Sequence, residues 1–137
     1  FGVLFKDYPD KLFAARKDSP LIIGKNETGE GYCIYGIPWC GTSGLCTTET
    51  IDLGGIVLLG RDVEDHVEEL SPFEQVLRVT QRMISPAWTE QMATGNLEFV
   101  EQMAEKAWIT QLFCTKNPSA VEVIQKWIDE KNEEIEA

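Results

Sequence analysis

Apolar and polar positions change their spacing once along the chain. Short apolar runs dominate the first half, and i, i+3, i+4 stripes dominate the second. Phe1–Lys6 reads as a short strand and Asp7–Asp10 as a turn, because Pro9 fixes φ and aspartates bond nearby backbone. Lys11–Lys17 is compatible with a strand or a short helix. Pro20–Gly24 is an apolar strand, Asn26–Gly31 supplies turn chemistry and Tyr32–Tyr35 is again strand-like, so the pair predicts a β-hairpin. Ile56–Leu59 is apolar without alternation, the pattern of a strand covered on both faces in the middle of a domain. The connection before it carries Gly36, Pro38, Gly41 and Gly44. Loops of that length are usually functional or mobile.

The second half is helical. Arg61–His66 is polar, and Val67–Leu70 reads as a brief edge strand. Ser71-Pro72-Phe73-Glu74 is a helix start: Ser71 can accept the Glu74 N–H, Pro72 suits the first helical position, and Glu74 completes a capping box. Phe73, Val76, Leu77, Thr80 and Ile84 form the expected inward stripe of a helix reaching about Met83, broken by Ser85-Pro86. Ala87–Ala93 predicts another short helix, closed by Thr94-Gly95. Asn96 is expected to cap the next one, in which Leu97, Val100, Ala104 and Ala107 share a face. Trp108–Thr115 predicts a strand. Asn117-Pro118 opens the last helix, with Val121, Ile124 and Ile128 inward and Lys126, Glu130 and Glu133 outward. The expectation is one α+β domain over residues 1–137, a mixed α/β sheet being the alternative.

Composition narrows the function classes. A length of 137 residues suits one core rather than two. The net charge of −11 argues against nucleic acid or a membrane surface as partner, since phosphate-rich surfaces would repel the chain. The acidic run Asp62–Glu69 and the acidic tail from Asp129 read as solvated faces. Four cysteines do not make a disulfide scaffold in a chain this long. Cys33 and Cys114 fall inside apolar patterns and read as small core residues. Cys40 and Cys46 lack the Cys-x2-Cys spacing of zinc knuckles, and His66 lies far from them, so no metal site is expected. No apolar run approaches a membrane span and no signal peptide is visible, which makes a cytoplasmic protein the simplest expectation. The first residue is Phe, as expected of a processed or truncated chain.

The stretch YGIPWCGTSGLCTTETIDLGGIVLLGR resembles a segment of bacterial proteins related to HPr serine kinase and ATP-dependent phosphoenolpyruvate carboxykinase. LSPFEQVLR and LFCTKNPSAVEVIQKWI agree with that family in order, so the likeness covers roughly Ser19 to Ile128. It implies a phosphotransferase using ATP and Mg²⁺, of which this chain would be the C-terminal part. Trp39, Cys40, Gly41, Thr42, Ser43 and Gly44 would then form the substrate or phosphate loop. Thr42 stands where the family often has Lys, and Ser43 keeps its place. Trp39 is open to two readings, a lid or a core aromatic.

Asp18 matches the second of the family's paired acids, as a catalytic base or metal ligand. Lys17 replaces the first acid, putting a cation where a carboxylate is wanted. The plainer reading is that Asp18 caps a turn before Ser19-Pro20. No Gly-x4-Gly-Lys-Ser/Thr segment occurs in the chain, so phosphoryl transfer by this chain alone is not expected.

Two alternatives stand beside it. One is a non-catalytic protein-binding or assembly domain on the same scaffold, with a protein substrate or a completing chain as partner. The other comes from Leu12–Gly24, LFAARKDSPLIIG, which resembles a strand pair of the glutaminase domain of glucosamine-6-phosphate synthase. That family's N-terminal nucleophilic Cys and its Arg-Trp-Ala-Thr-His-Gly segment are missing here.

Overall fold

The computed structural model describes residues 2–4, 12–14, 21–36 and 49–137. The fold is α+β, with eight strands and three helices among those residues. β1 (Gly2–Leu4) and β2 (Leu12–Ala14) form an antiparallel pair with Val3 opposite Phe13, so the Leu12–Ala14 stretch is strand and not helix.

β3 (Leu21–Lys25) and β4 (Tyr32–Gly36) make the expected hairpin, Ile23 facing Ile34 across it. Its turn is closed by Asn26, whose N–H donates to the Gly31 carbonyl at 2.9 Å while its Oδ1 accepts the Gly31 N–H at 3.2 Å. Gly29 takes φ +72°, a conformation that favours glycine. β5 (Thr50–Asp52), within the connection that precedes Ile56, adds to β4 antiparallel, and its side chains are all exposed. The partner strand, and not a local pattern, makes it a strand.

A second three-stranded sheet has the order β6-β8-β7, from β6 (Gly55–Arg61), β7 (His66–Glu69) and β8 (Trp108–Cys114). β6 runs parallel to β8, and β7 antiparallel to it. This corrects the expectation for Ile56–Leu59: among the described residues that run lies on an edge strand, with Leu58 buried but Leu59 67% exposed and Val57 37% exposed. The strand covered on both faces is β8, where Ile109 to Leu112 are buried in succession.

α1 (Pro72–Thr80) starts as expected: Ser71 and Glu74 form the full capping box behind Pro72. Its inward face differs from the expected stripe. Val79 is buried, Val76 and Met83 pack against the core, and Phe73, Leu77 and Ile84 are exposed. α2 (Glu90–Ala104) is a single helix capped by Thr89, which accepts the Met92 N–H at 3.2 Å. The predicted break at Thr94-Gly95 does not occur. A mid-helix glycine costs only about 1 kcal/mol, and burial of Val100 and Met103 further along outweighs it. Asn96 lies inside the helix and not at a cap: its amide donates to the Pro86 carbonyl at 3.1 Å and accepts from Ser85 Oγ at 2.8 Å, tying the preceding segment to α2.

The core lies between one face of the β6-β8-β7 sheet and these two helices. Leu58, Leu70 and Ile109 meet Val79, Val100, Met103 and Ala107 there. Tyr32 of β4 joins them, its ring edge-on to Phe99 at 5.5 Å. α3 (Ser119–Glu136) packs against β7 and β8. Trp127 meets Trp108 edge-to-face at 6.0 Å, and Lys131 reaches Glu69 at 3.1 Å. Ala120 is the buried residue of its first turn, and Ile124 and Ile128 are half-buried, but Val121 is exposed, contrary to the expected stripe. Among the described residues no helix is long and apolar enough to cross a membrane.

Candidate functional site

Register and topology place three groups of side chains where function can be sought. The first is centred on Arg78. Its guanidinium donates to Gln111 Oε1 at 3.2 Å and to Glu68 Oε1 and Glu74 Oε1 at 3.3 Å each. Gln111 is buried and donates through Nε2 to the Leu58 carbonyl at 2.9 Å. Strand β7, helix α1 and the centre of the sheet are thereby fixed to one another. Glu74 is held below the ordinary carboxylate range by the Ser71 hydroxyl and N–H, with Arg78 assisting. An arginine committed to two carboxylates and an amide is a structural clamp, not an anion grip.

The second group lies where the parallel strands β6 and β8 end, the position at which open α/β sheets bind ligands. The Asp62 N–H donates to the Cys114 carbonyl at 3.4 Å, and the Cys114 thiol lies 3.3 Å from the Gly60 carbonyl. Asp65 accepts the Thr115 N–H at 2.5 Å and the Ser119 hydroxyl, joining the β6–β7 turn to the start of α3. Those two donors, Ser119 first, hold the Asp65 carboxyl below its ordinary range. His66 is half-buried, in place of the exposed position expected: its ring stacks on Phe113 at 4.9 Å, and Nδ1 lies 3.1 Å from the Glu64 carbonyl. A Cβ on Gly60 would meet the Phe113 ring at 2.7 Å and Gln111 Nε2 at 3.0 Å, so the backbone here must be glycine-thin. The groups at this end bind one another. Among the described residues no cluster of three or more His, Cys, Asp or Glu could hold a metal ion.

The third feature is the outer edge of β6. Leu59 and Leu112 are opposite each other in register, on the face that α3 packs against. Leu112 is 5% exposed and Leu59 is 67% exposed, so the cover ends between the two strands. Among the described residues β8 is the only strand that pairs with β6.

The residues singled out from the sequence, Asp18, Trp39, Cys40, Gly41, Thr42, Ser43 and Gly44, lie outside the described residues. Cys33 is buried, and Cys114 half-buried, as free thiols. Sequence reasoning missed Arg78, Gln111 and the Asp65–Ser119 contact. The partners are 33 and 54 positions apart, and no local pattern announces them. The exposed Val57 and Leu59 were hidden by their apolar neighbours. Compared with known proteins, the chain matches no family model, no curated protein and no solved structure.

Proposed function

We propose that this chain is a protein-binding domain whose docking element is the outer edge of β6. One observation carries the reading: Leu59 stands exposed beside a buried register partner, on a strand whose second edge has no partner among the described residues. An apolar edge of this kind is a template for another polypeptide. The polar clusters at Arg78 and Asp65 fit the same reading, because their side chains are hydrogen-bonded within the fold, Arg78 to Glu68, Glu74 and Gln111, and Asp65 to Thr115 and Ser119. A reducing, cytoplasmic setting is part of the proposal; among the described residues Cys33 and Cys114 are free thiols. A photo-crosslinking residue at position 59 should give a discrete adduct with one polypeptide in cells, and one at the exposed Glu122 should not. Equal adducts at both positions, or none at 59, would overturn the reading.

The phosphotransferase reading is the second, favoured by the parallel β6–β8 pair and the helices between its strands. It proposes that an upstream P-loop completes a site for ATP and Mg²⁺ to which Asp18 and residues 39–44 contribute. Calorimetry on the chain extended upstream to include that P-loop separates the two. Saturable heat from Mg-ATP that is lost in Ser43→Ala supports the second, and absence of heat from the extended chain supports the first.

A further inference from the structure

Among the described residues β6 and β7 are the two edges of the β6-β8-β7 sheet, and they are built differently. β7 carries His66, Glu68 and Glu69 within four residues, with Glu68 bound to Arg78 and Glu69 to Lys131. Short length and charge are the usual means of keeping a strand edge from pairing with other chains. β6 is seven residues long, GIVLLGR, with no proline and no charge before its final residue. Nothing in its own sequence discourages pairing. Its exposed apolar side chains, Val57 and Leu59, alternate with the buried or half-buried Ile56, Leu58 and Gly60, so one face of an added strand would meet apolar surface.

Charge decides between the possible occupants. Exposed acids flank the strand, Asp52 before it and Asp62 and Glu64 beyond it, outnumbering the one exposed base at its end, Arg61, and the chain as a whole carries −11. A second copy would bring like charge to both ends and would be repelled. A basic segment would be attracted. Resting on the protein-binding reading above, we infer that β6 accepts an extended segment of a partner by strand addition. Alternating apolar side chains of that segment cover Val57 and Leu59, and lysines or arginines at its ends face Asp52, Asp62 and Glu64. Main-chain hydrogen bonds then supply affinity, while the side-chain alternation and end charges supply selectivity.

Three labelled peptides test this: alternating valine and threonine with lysines at both ends, the same core with glutamates at both ends, and the lysine form N-methylated at alternate positions along one edge. The lysine peptide should bind, raise hydrogen-exchange protection at residues 55–61, and bind about tenfold tighter than the glutamate form. N-methylation should abolish binding by removing the donors that face β6. Leu59→Arg should weaken the lysine peptide at unchanged thermal stability, since the side chain is exposed. Equal affinity for the two charge forms, undiminished binding of the N-methylated form, protection confined to other segments, or a dimer in sedimentation that Leu59→Arg disperses would each overturn the inference. An adduct at position 59 with no peptide preference would remove this inference and leave the protein-binding reading standing. Loss of both adduct and peptide binding would remove both.

Discussion

β6 and β8 are neighbours paired residue for residue, and their burial does not follow the local run of apolar residues. β6, with the unbroken apolar run Ile56–Leu59, sits at the edge among the described residues with two of its large side chains exposed. β8 is central and buries Thr110 and Gln111 among its apolar residues. The polar pair is tolerated because each finds a partner. Thr110 Oγ1 donates to the Glu68 carbonyl at 3.1 Å, and Gln111 bridges the Leu58 carbonyl and Arg78. Hydrophobicity alone therefore does not rank strands by depth. A satisfied amide can occupy the centre, and an unbroken apolar run can lie at an edge.

The sharpest way to break this comparison is to truncate the facing leucines. Leu112→Ala should cost about 2–5 kcal/mol, as expected of a large-to-small change in a packed interior. Leu59→Ala should stay within about 0.5 kcal/mol, the range of surface substitutions. Urea unfolding at neutral pH measures both. Equal losses would mean that Leu59 is covered in solution.

A smaller effect is expected where the two strands meet through Gln111. Gln111→Leu keeps the volume but removes the donor to the Leu58 carbonyl and the acceptor for Arg78. The unsatisfied groups should lower stability by about 1–3 kcal/mol. A neutral outcome would show that water takes over both bonds. Gly60→Ala tests the same junction from β6. Its added methyl must displace the Phe113 ring and with it the stacked His66, at about 1–3 kcal/mol. If Phe113 turns aside freely, the loss will be negligible and the His66 resonances will shift instead.

Local chemistry was legible in the sequence and tertiary choice was not. The β3–β4 turn and the start of α1 follow from residues within a few positions of one another, Asn26 with Gly31 and Ser71 with Glu74. The edge position of β6, the addition of β5 and the rotation of α1 depend on partners tens of residues away. In α1, Phe73 and Leu77 compete with Val76 and Val79 for the inward face, and the Arg78 bonds to β7 and β8 favour the latter. Gly95 looked like a helix end because glycine is a local signal, and burial further along the helix overrode it. The residues proposed for phosphoryl chemistry fall outside the described segments. The Arg78 and Asp65 clusters join elements that the sequence keeps far apart, so their absence from the sequence-based reading follows from distance alone.

The smallest effect concerns acid. Asp65 joins the β6 end to the β8 end by accepting from Thr115 and Ser119, and those donors favour its ionised form, holding its pKa below the ordinary 3.8. A carboxyl depressed in this way contributes stability that is fully present above its unfolded value and is lost as pH falls through the lower folded value. Asp65→Asn removes that contribution at neutral pH, although its carbonyl can still accept one of the two bonds while its amide faces the other donor. The stability gap between the native chain and Asp65→Asn should therefore be widest at neutral pH and should close as pH falls below about 3.8. Glu74 and Glu69, also lowered from 4.5, by Ser71 and by Lys131 respectively, remain in both proteins and give both a residual acid slope. Urea titrations across that window measure the gap directly. A gap that stays constant down through the acid range would mean that the clasp works by shape and not by charge.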